Sequence, residues 1–145
     1  MIKFNFLLTN PNRLKLKNSI NAYEGKYLDI LDVCGEFQIL INENLWFLDT
    51  YFAVVEFLKY TNEWVHKKWD KSKDMFYISI ETNENPFISF VSKNDSWVII
   101  SPWEKFKCNT TFTREEIENA LIILENNVNE QLAKWPNKNA PAISL

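Results

Sequence analysis

The chain has 145 residues, 46% of them apolar and 24% charged, enough for one self-sufficient hydrophobic core and too apolar for a disordered segment. Only two glycines are present, which excludes the glycine-rich phosphate loops of nucleotide-binding proteins, and a formal charge of −3 argues against a nucleic-acid partner. One histidine and two cysteines are too few for a structural zinc site, and no apolar run has the length of a membrane span, so neither a metal nor a membrane is expected.

Ile2, Phe4 and Phe6 alternate with Lys3 and Asn5, the period-two pattern of a half-buried strand and not the apolar run of a signal peptide. With both cysteines read as reduced, the expected compartment is the cytoplasm. Thr9-Asn10-Pro11-Asn12 breaks the strand, and Leu14 and Leu16 suggest a short second one. Residues 27–33 and 36–41 read as two more strands, flanking Cys34-Gly35 as a tight turn or bulge. Asn42-Glu43-Asn44 makes a turn, and Leu45-Trp46-Phe47 continues the apolar run. Asp49 suits the N-cap of a helix with the stripe Tyr51, Val55, Leu58, Asn62 and Val65, bordered by Phe52, Val54, Phe57 and Trp64. So wide an apolar surface predicts deep burial against a sheet. The polar stretch 66–74 ends this helix.

Residues 75–81, 87–92 and 97–101 read as three strands, joined by turns short enough for an antiparallel meander. Pro102 stops the third, and 103–109 is either irregular or a short further strand. Thr113 and Glu116 form a capping box at the head of a second helix, where Ile117, Leu121, Leu124, Val128 and Leu132 keep helical spacing until Trp135-Pro136. The expected architecture is a single α+β domain over residues 1–136: an antiparallel sheet of about five or six strands with two long helices packed on one face. A loose tail over 137–145 follows.

Little in the chain looks catalytic. His66 reads as a solvated imidazole with no neighbour to activate a nucleophile. Asp29 and Asp32, three apart on a strand, point to opposite faces, and Glu81 and Glu84 merely bracket a turn. No catalytic, cofactor-binding or metal-ligating residue is therefore assigned, and no cofactor is expected. Eleven Phe and six Trp supply a core of large rings, with room for some at an interface. The most suggestive segment is Ser101-Pro102-Trp103-Glu104-Lys105-Phe106. Pro102 sends Trp103 off the sheet, either folded back to cap the core or presented to a partner with Glu104 and Lys105 at its rim.

The run from Gly35 to Asn42, the helix with Val55-Glu56-Phe57-Leu58 and Glu63-Trp64, then Ile88-Ser89-Phe90, the run from Ser96 to Trp103 and the Thr-x-x-Glu-capped last helix together resemble a group of small bacterial proteins. Several of that group look like immunity proteins of polymorphic toxin systems. The resemblance covers roughly residues 27–132, is carried by core positions, and transfers no functional residue. It implies a non-catalytic protein-binding module that neutralises a cognate toxin by direct docking. Acidic residues would steer association with a basic toxin, which makes Glu36, Glu43, Asp95 and Glu104, together with Trp103, the expected contact residues. The alternative is a small-ligand-binding or regulatory domain of bacterial or phage origin, with an enzyme and a self-assembling protein behind it. The oligomeric state is left open.

Overall fold

The structure, a computed structural model, describes residues 1–9, 33–67 and 70–134. The strand expected at Leu14 and Leu16, most of the one at 27–33, Trp69, and the helix stop and tail from Trp135 onward lie outside the described residues.

The first sheet is β1 (Ile2–Leu8), β2 (Cys34–Ile41) and β3 (Asn44–Ala53), antiparallel and in that order. Its alternation is as the sequence reads. Ile2, Phe4 and Phe6 on β1, and Phe37, Ile39 and Ile41 on β2, are buried, while Lys3, Glu36 and Gln38 face out. Cys34-Gly35 is not a turn: both residues lie inside β2, where Gly35 pairs with Leu8 on one side and Phe52 on the other. The glycine is required by a close approach, since a Cβ there would sit 2.0 Å from the Leu7 carbonyl oxygen and 2.9 Å from the Phe6 ring. The bulges fall on β3. One lies where Gly35 and Phe37 face Phe52 and Asp49, the other where Ile39 and Leu40 face Phe47 and Leu45 and leave Trp46 as the extra residue.

The first bulge explains why Asp49 reads as a helix cap and is not one. Its carboxylate accepts from Tyr51 N–H at 2.9 Å, the amide two residues on, but it does so within the strand. β3 therefore runs on through Ala53, and α1 (Val54–His66) begins later than expected, with Ala53 at an N-cap that lacks a side-chain bond. The buried residues are Val54, Val55, Glu56, Phe57, Leu58, Thr61 and Trp64, so Val55 and Leu58 of the expected stripe hold; Tyr51 is outside the helix, and Asn62 and Val65 are half-buried.

The second sheet is β4 (Met75–Tyr77), β5 (Ile88–Lys93) and β6 (Ser96–Ile100), again antiparallel in sequence order. β4 is shorter than expected because the backbone of Ser79 finds another partner. Asn85 accepts from Ser79 N–H and donates to the Ser79 carbonyl, both at 2.9 Å, so a side-chain amide stands where the next strand residue would be. The last element, α2 (Arg114–Ala133), opens with the capping box: Glu116 N–H donates to Thr113 Oγ1 and Thr113 N–H to Glu116 Oε1, each 3.1 Å. Ile117, Leu121, Leu124, Val128 and Leu132 are buried as spaced.

The α+β class holds, but the single five- or six-stranded sheet does not: the described residues form two three-stranded sheets. β3 and β4 meet through rings, Phe52 on Tyr77 at 5.9 Å, where a continuous sheet would join them by a backbone ladder. Phe4 on Phe90 (6.3 Å) and Phe47 on Phe87 (5.2 Å) continue the seam. Phe57 of α1 fills its centre, touching Phe4, Phe37, Phe52 and Tyr77 at 6.1, 5.5, 5.5 and 5.3 Å. α1 contacts β2, β4 and α2, whereas α2 lies along β1. That placement covers the C-terminal end of the outer edge of β1. The Gln131 amide accepts from Leu8 N–H at 2.8 Å and donates to the Phe6 carbonyl at 2.6 Å, pairing both backbone groups as a strand would.

Arg114 fixes the start of α2 to the end of α1. Its guanidinium lies 3.8 Å over the Trp64 ring and donates to the carbonyls of Trp64 (2.6 Å) and Lys71 (2.9 Å) and to Glu118 (2.9 Å). A cation is thereby held at the C-terminal carbonyls of α1, where the helix dipole favours it.

Candidate functional site

On the second sheet, residues opposite each other across the ladder share a face. Phe76 faces Ser89, which faces Ile100, and Val91 faces Val98 one row along. These side chains point away from the core. Phe76 is 48% exposed and Ile100 47%, and Ser89 between them is buried for lack of length. Past the end of β4 the alternation continues to Ile78 and Ile80, 42% and 70% exposed. The outer side of an antiparallel sheet is ordinarily polar. Here it is a row of apolar side chains with Lys93 and Ser96 at one end. Exposed apolar side chains grouped in this way are the feature of the second sheet that needs a reason. The loop bearing Ile80 is pinned by Asn85, which also donates to Thr82 O at 2.9 Å.

Beneath this face lies a buried polar cluster. Tyr77, fully enclosed, donates its phenol proton to Glu56 Oε1 at 2.7 Å, and Glu56 is itself 4% exposed in the first turn of α1. Burial, with the neighbouring Glu56 and Asp49 carboxylates, pushes the Tyr77 phenol well above its ordinary range. Burial also raises Asp49, against the opposing pull of the Tyr51 amide. The phenol therefore stays a proton donor, and the Glu56 carboxylate is held by that hydrogen bond at the positive end of the helix dipole. The cluster supports the sheet from inside and offers no open chemistry.

Of the residues expected at a contact surface, three lie at one end of the molecule. Trp103 stacks on Phe47 at 6.2 Å and stands edge-on to Phe87 at 4.8 Å, yet remains 38% exposed, so one ring both caps the core and shows an edge. Glu104, half-buried, follows it in a loop tied to β3 by Lys105 N–H on the Trp46 carbonyl at 2.8 Å. Glu43 is exposed in the turn between β2 and β3, whose Asn42 donates to Thr110 Oγ1 at 3.2 Å. Glu36 lies near the other end of β2, opposite Leu7, beside a shallow groove with Asn5, Gln38 and Asn127. Asp95 is exposed in the turn between β5 and β6, at the end of the second sheet remote from Trp103. The acidic residues do not converge on one patch. His66 is exposed at the end of α1, Trp46 is fully buried, and its indole N–H has no partner among the described residues. No three His, Cys, Asp or Glu side chains among the described residues meet as a metal site would require, and no described helix is long and apolar enough to cross a membrane.

Phe76, Ile78, Ile80 and Ile100 are absent from the sequence-derived site. Their signal is there nonetheless. Phe76-Tyr77 and Val98-Ile99-Ile100 are apolar in both phases of the strand alternation, so one of the two rows must lie on the side away from the core.

The model of one protein family, described as Domain of unknown function (DUF7878), matches residues 4–134. No curated protein matches the chain, and no solved structure does.

Proposed function

We propose, from the premise that this chain belongs to the DUF7878 family, that it is a non-catalytic protein-binding module acting as an immunity or antitoxin-like protein. The observation that carries the reading is the apolar outer face of the second sheet, where Phe76 and Ile100 stand nearly half exposed in one cross-strand row. Large apolar side chains on a rigid sheet are the anchors from which docking energy comes, while polar rim contacts add mainly orientation and rate. The resemblance of the core pattern to toxin-neutralising proteins supplies the class of partner. The ligand-binding alternative has less support: three grooves lined by described residues hold about 210, 240 and 250 Å³, below the roughly 300–1,000 Å³ of small-molecule pockets.

The test is complex formation with the purified product of the adjacent upstream gene, read by size-exclusion chromatography and by inhibition of that product's activity. A stable complex is expected. The Phe76→Ser/Ile100→Ser variant, with an unchanged melting temperature, should bind at least about tenfold more weakly. No complex, or full affinity in the double variant, overturns the proposal.

A further inference from the structure

Helix α2 carries five glutamates and one arginine, a net charge of four negative units on twenty residues in a chain whose total is −3. Arg114 and Glu118 pair with each other, Arg114 also binds the Trp64 carbonyl of α1, and Glu116 is held in the capping box. Glu115, Glu125 and Glu130 have no cationic partner among the described residues. In the middle of this acidic surface stand two aliphatic side chains, Ile122 at 52% and Ile123 at 62% exposure. Glu115 precedes Ile122 by two turns, which places both on one side of the helix. Ile122 also forms one wall of a groove of about 210 Å³ between α1 and α2, floored by Leu58, Leu121 and Val65 and bordered by His66 and Glu125.

We infer that this groove is a second docking surface, and that its occupant is a basic amphipathic helix of another protein. Charge complementarity decides between occupants. A second copy docked on this surface would set glutamates against glutamates, whereas a lysine-rich helix would pair with Glu115, Glu125 and Glu130 while an aliphatic anchor enters the groove against Ile122. The geometry matches helix-in-groove recognition: an apolar seam between two packed helices, with Glu125 at its border and Glu115 on the Ile122 side of α2. The inference is independent of the proposed role of the second sheet, which lies on other elements.

The probe is a fluorescein-labelled synthetic peptide with Leu at helical spacing and Lys elsewhere, titrated with the full chain and followed by anisotropy. One control peptide replaces Lys by Glu, the other replaces Leu by Ser. The Leu/Lys peptide should bind at least about tenfold more tightly than either control. Ile122→Ser/Ile123→Ser should lose about tenfold in affinity, and Glu115→Gln/Glu125→Gln/Glu130→Gln should flatten the salt dependence. Both are surface changes, and thermal melts confirm folding. The Phe76→Ser/Ile100→Ser variant should bind this peptide normally, which separates failure here from failure of the sheet proposal. Absent binding, equal binding by the isoleucine variant, or a dimer in sedimentation that the isoleucine variant dissociates, each overturns the inference.

Discussion

The two sheets are alike inside and differ outside, where the first mixes polar and aliphatic side chains and the second is mainly apolar. Each has three antiparallel strands in sequence order, and each turns aromatic rings toward a seam centred on Phe57. On the outside, the first sheet mixes Lys3, Asn5, Glu36 and Gln38 with Leu7, Leu40, Leu45 and Leu48, while the second shows Phe76, Val91, Val98 and Ile100 around Ser89, with Lys93 and Ser96 at one end. Their inner halves are built by the same rule, burial of large rings, so the difference outside is not required by folding.

The largest perturbation should erase the distinction altogether. Phe57→Ala removes the ring common to both inner faces and should cost about 3–5 kcal/mol. Because both sheets lean on it, one cooperative transition is expected by near-ultraviolet circular dichroism and by tryptophan fluorescence alike. Two separated transitions would show that the sheets fold independently.

A smaller change should single out the second sheet. Tyr77→Phe leaves the Glu56 carboxylate buried without its donor, at a cost of about 1.5–3 kcal/mol near neutral pH. The sign at alkaline pH is reversed. The folded-state value of this phenol is raised above the unfolded value of about 10, so above that pH the native state holds a proton the unfolded chain gives up, and stability falls as pH rises. Tyr77→Phe removes this alkaline loss, and urea titrations at neutral and alkaline pH should therefore show the gap between variant and parent closing. A gap that stays constant would mean that Tyr77 ionises normally.

The smallest effect compares the hairpin turns. Asn42 and Glu43 have φ of 50° and 71°, and Asn94 has φ of 58°. Asparagine tolerates the left-handed region, and glutamate does so at a cost of about 1–2 kcal/mol. Glu43→Gly should therefore stabilise by about 1 kcal/mol, measured by thermal melts, and Asn94→Gly by less. Equal gains would place the strain elsewhere in the turns.

Most of the second helix was legible from its sequence, because a capping box and a 3.6-residue apolar period are local signals that α2 obeys. The inner strand faces were legible for the same reason. What escaped was decided by partners distant in the chain. Asp49 carries the chemistry of a cap but spends it in a bulge, and Asn85 ends β4 by substituting for a strand. Whether six strands form one sheet or two depends on how rings pack across a seam, which no local pattern encodes. Of the expected contact residues, Trp103 and Glu104 followed from a proline that breaks a strand, and the structure puts Glu43 near them. Charge alone suggested Glu36 and Asp95, and charge alone did not place them together. The outer row of the second sheet was passed over because alternation tells the two faces of a strand apart only when one of them is polar.

Gln131 sets an order of events as well as a contact. Its amide covers the C-terminal end of the outer edge of β1, yet it lies 125 residues downstream of Phe6. At ribosomal rates of about 5–20 residues per second, roughly 6–25 seconds separate the synthesis of that strand from the synthesis of its seal. Throughout that interval the Leu8 N–H and the Phe6 carbonyl wait for the side chain that pairs them in the finished fold.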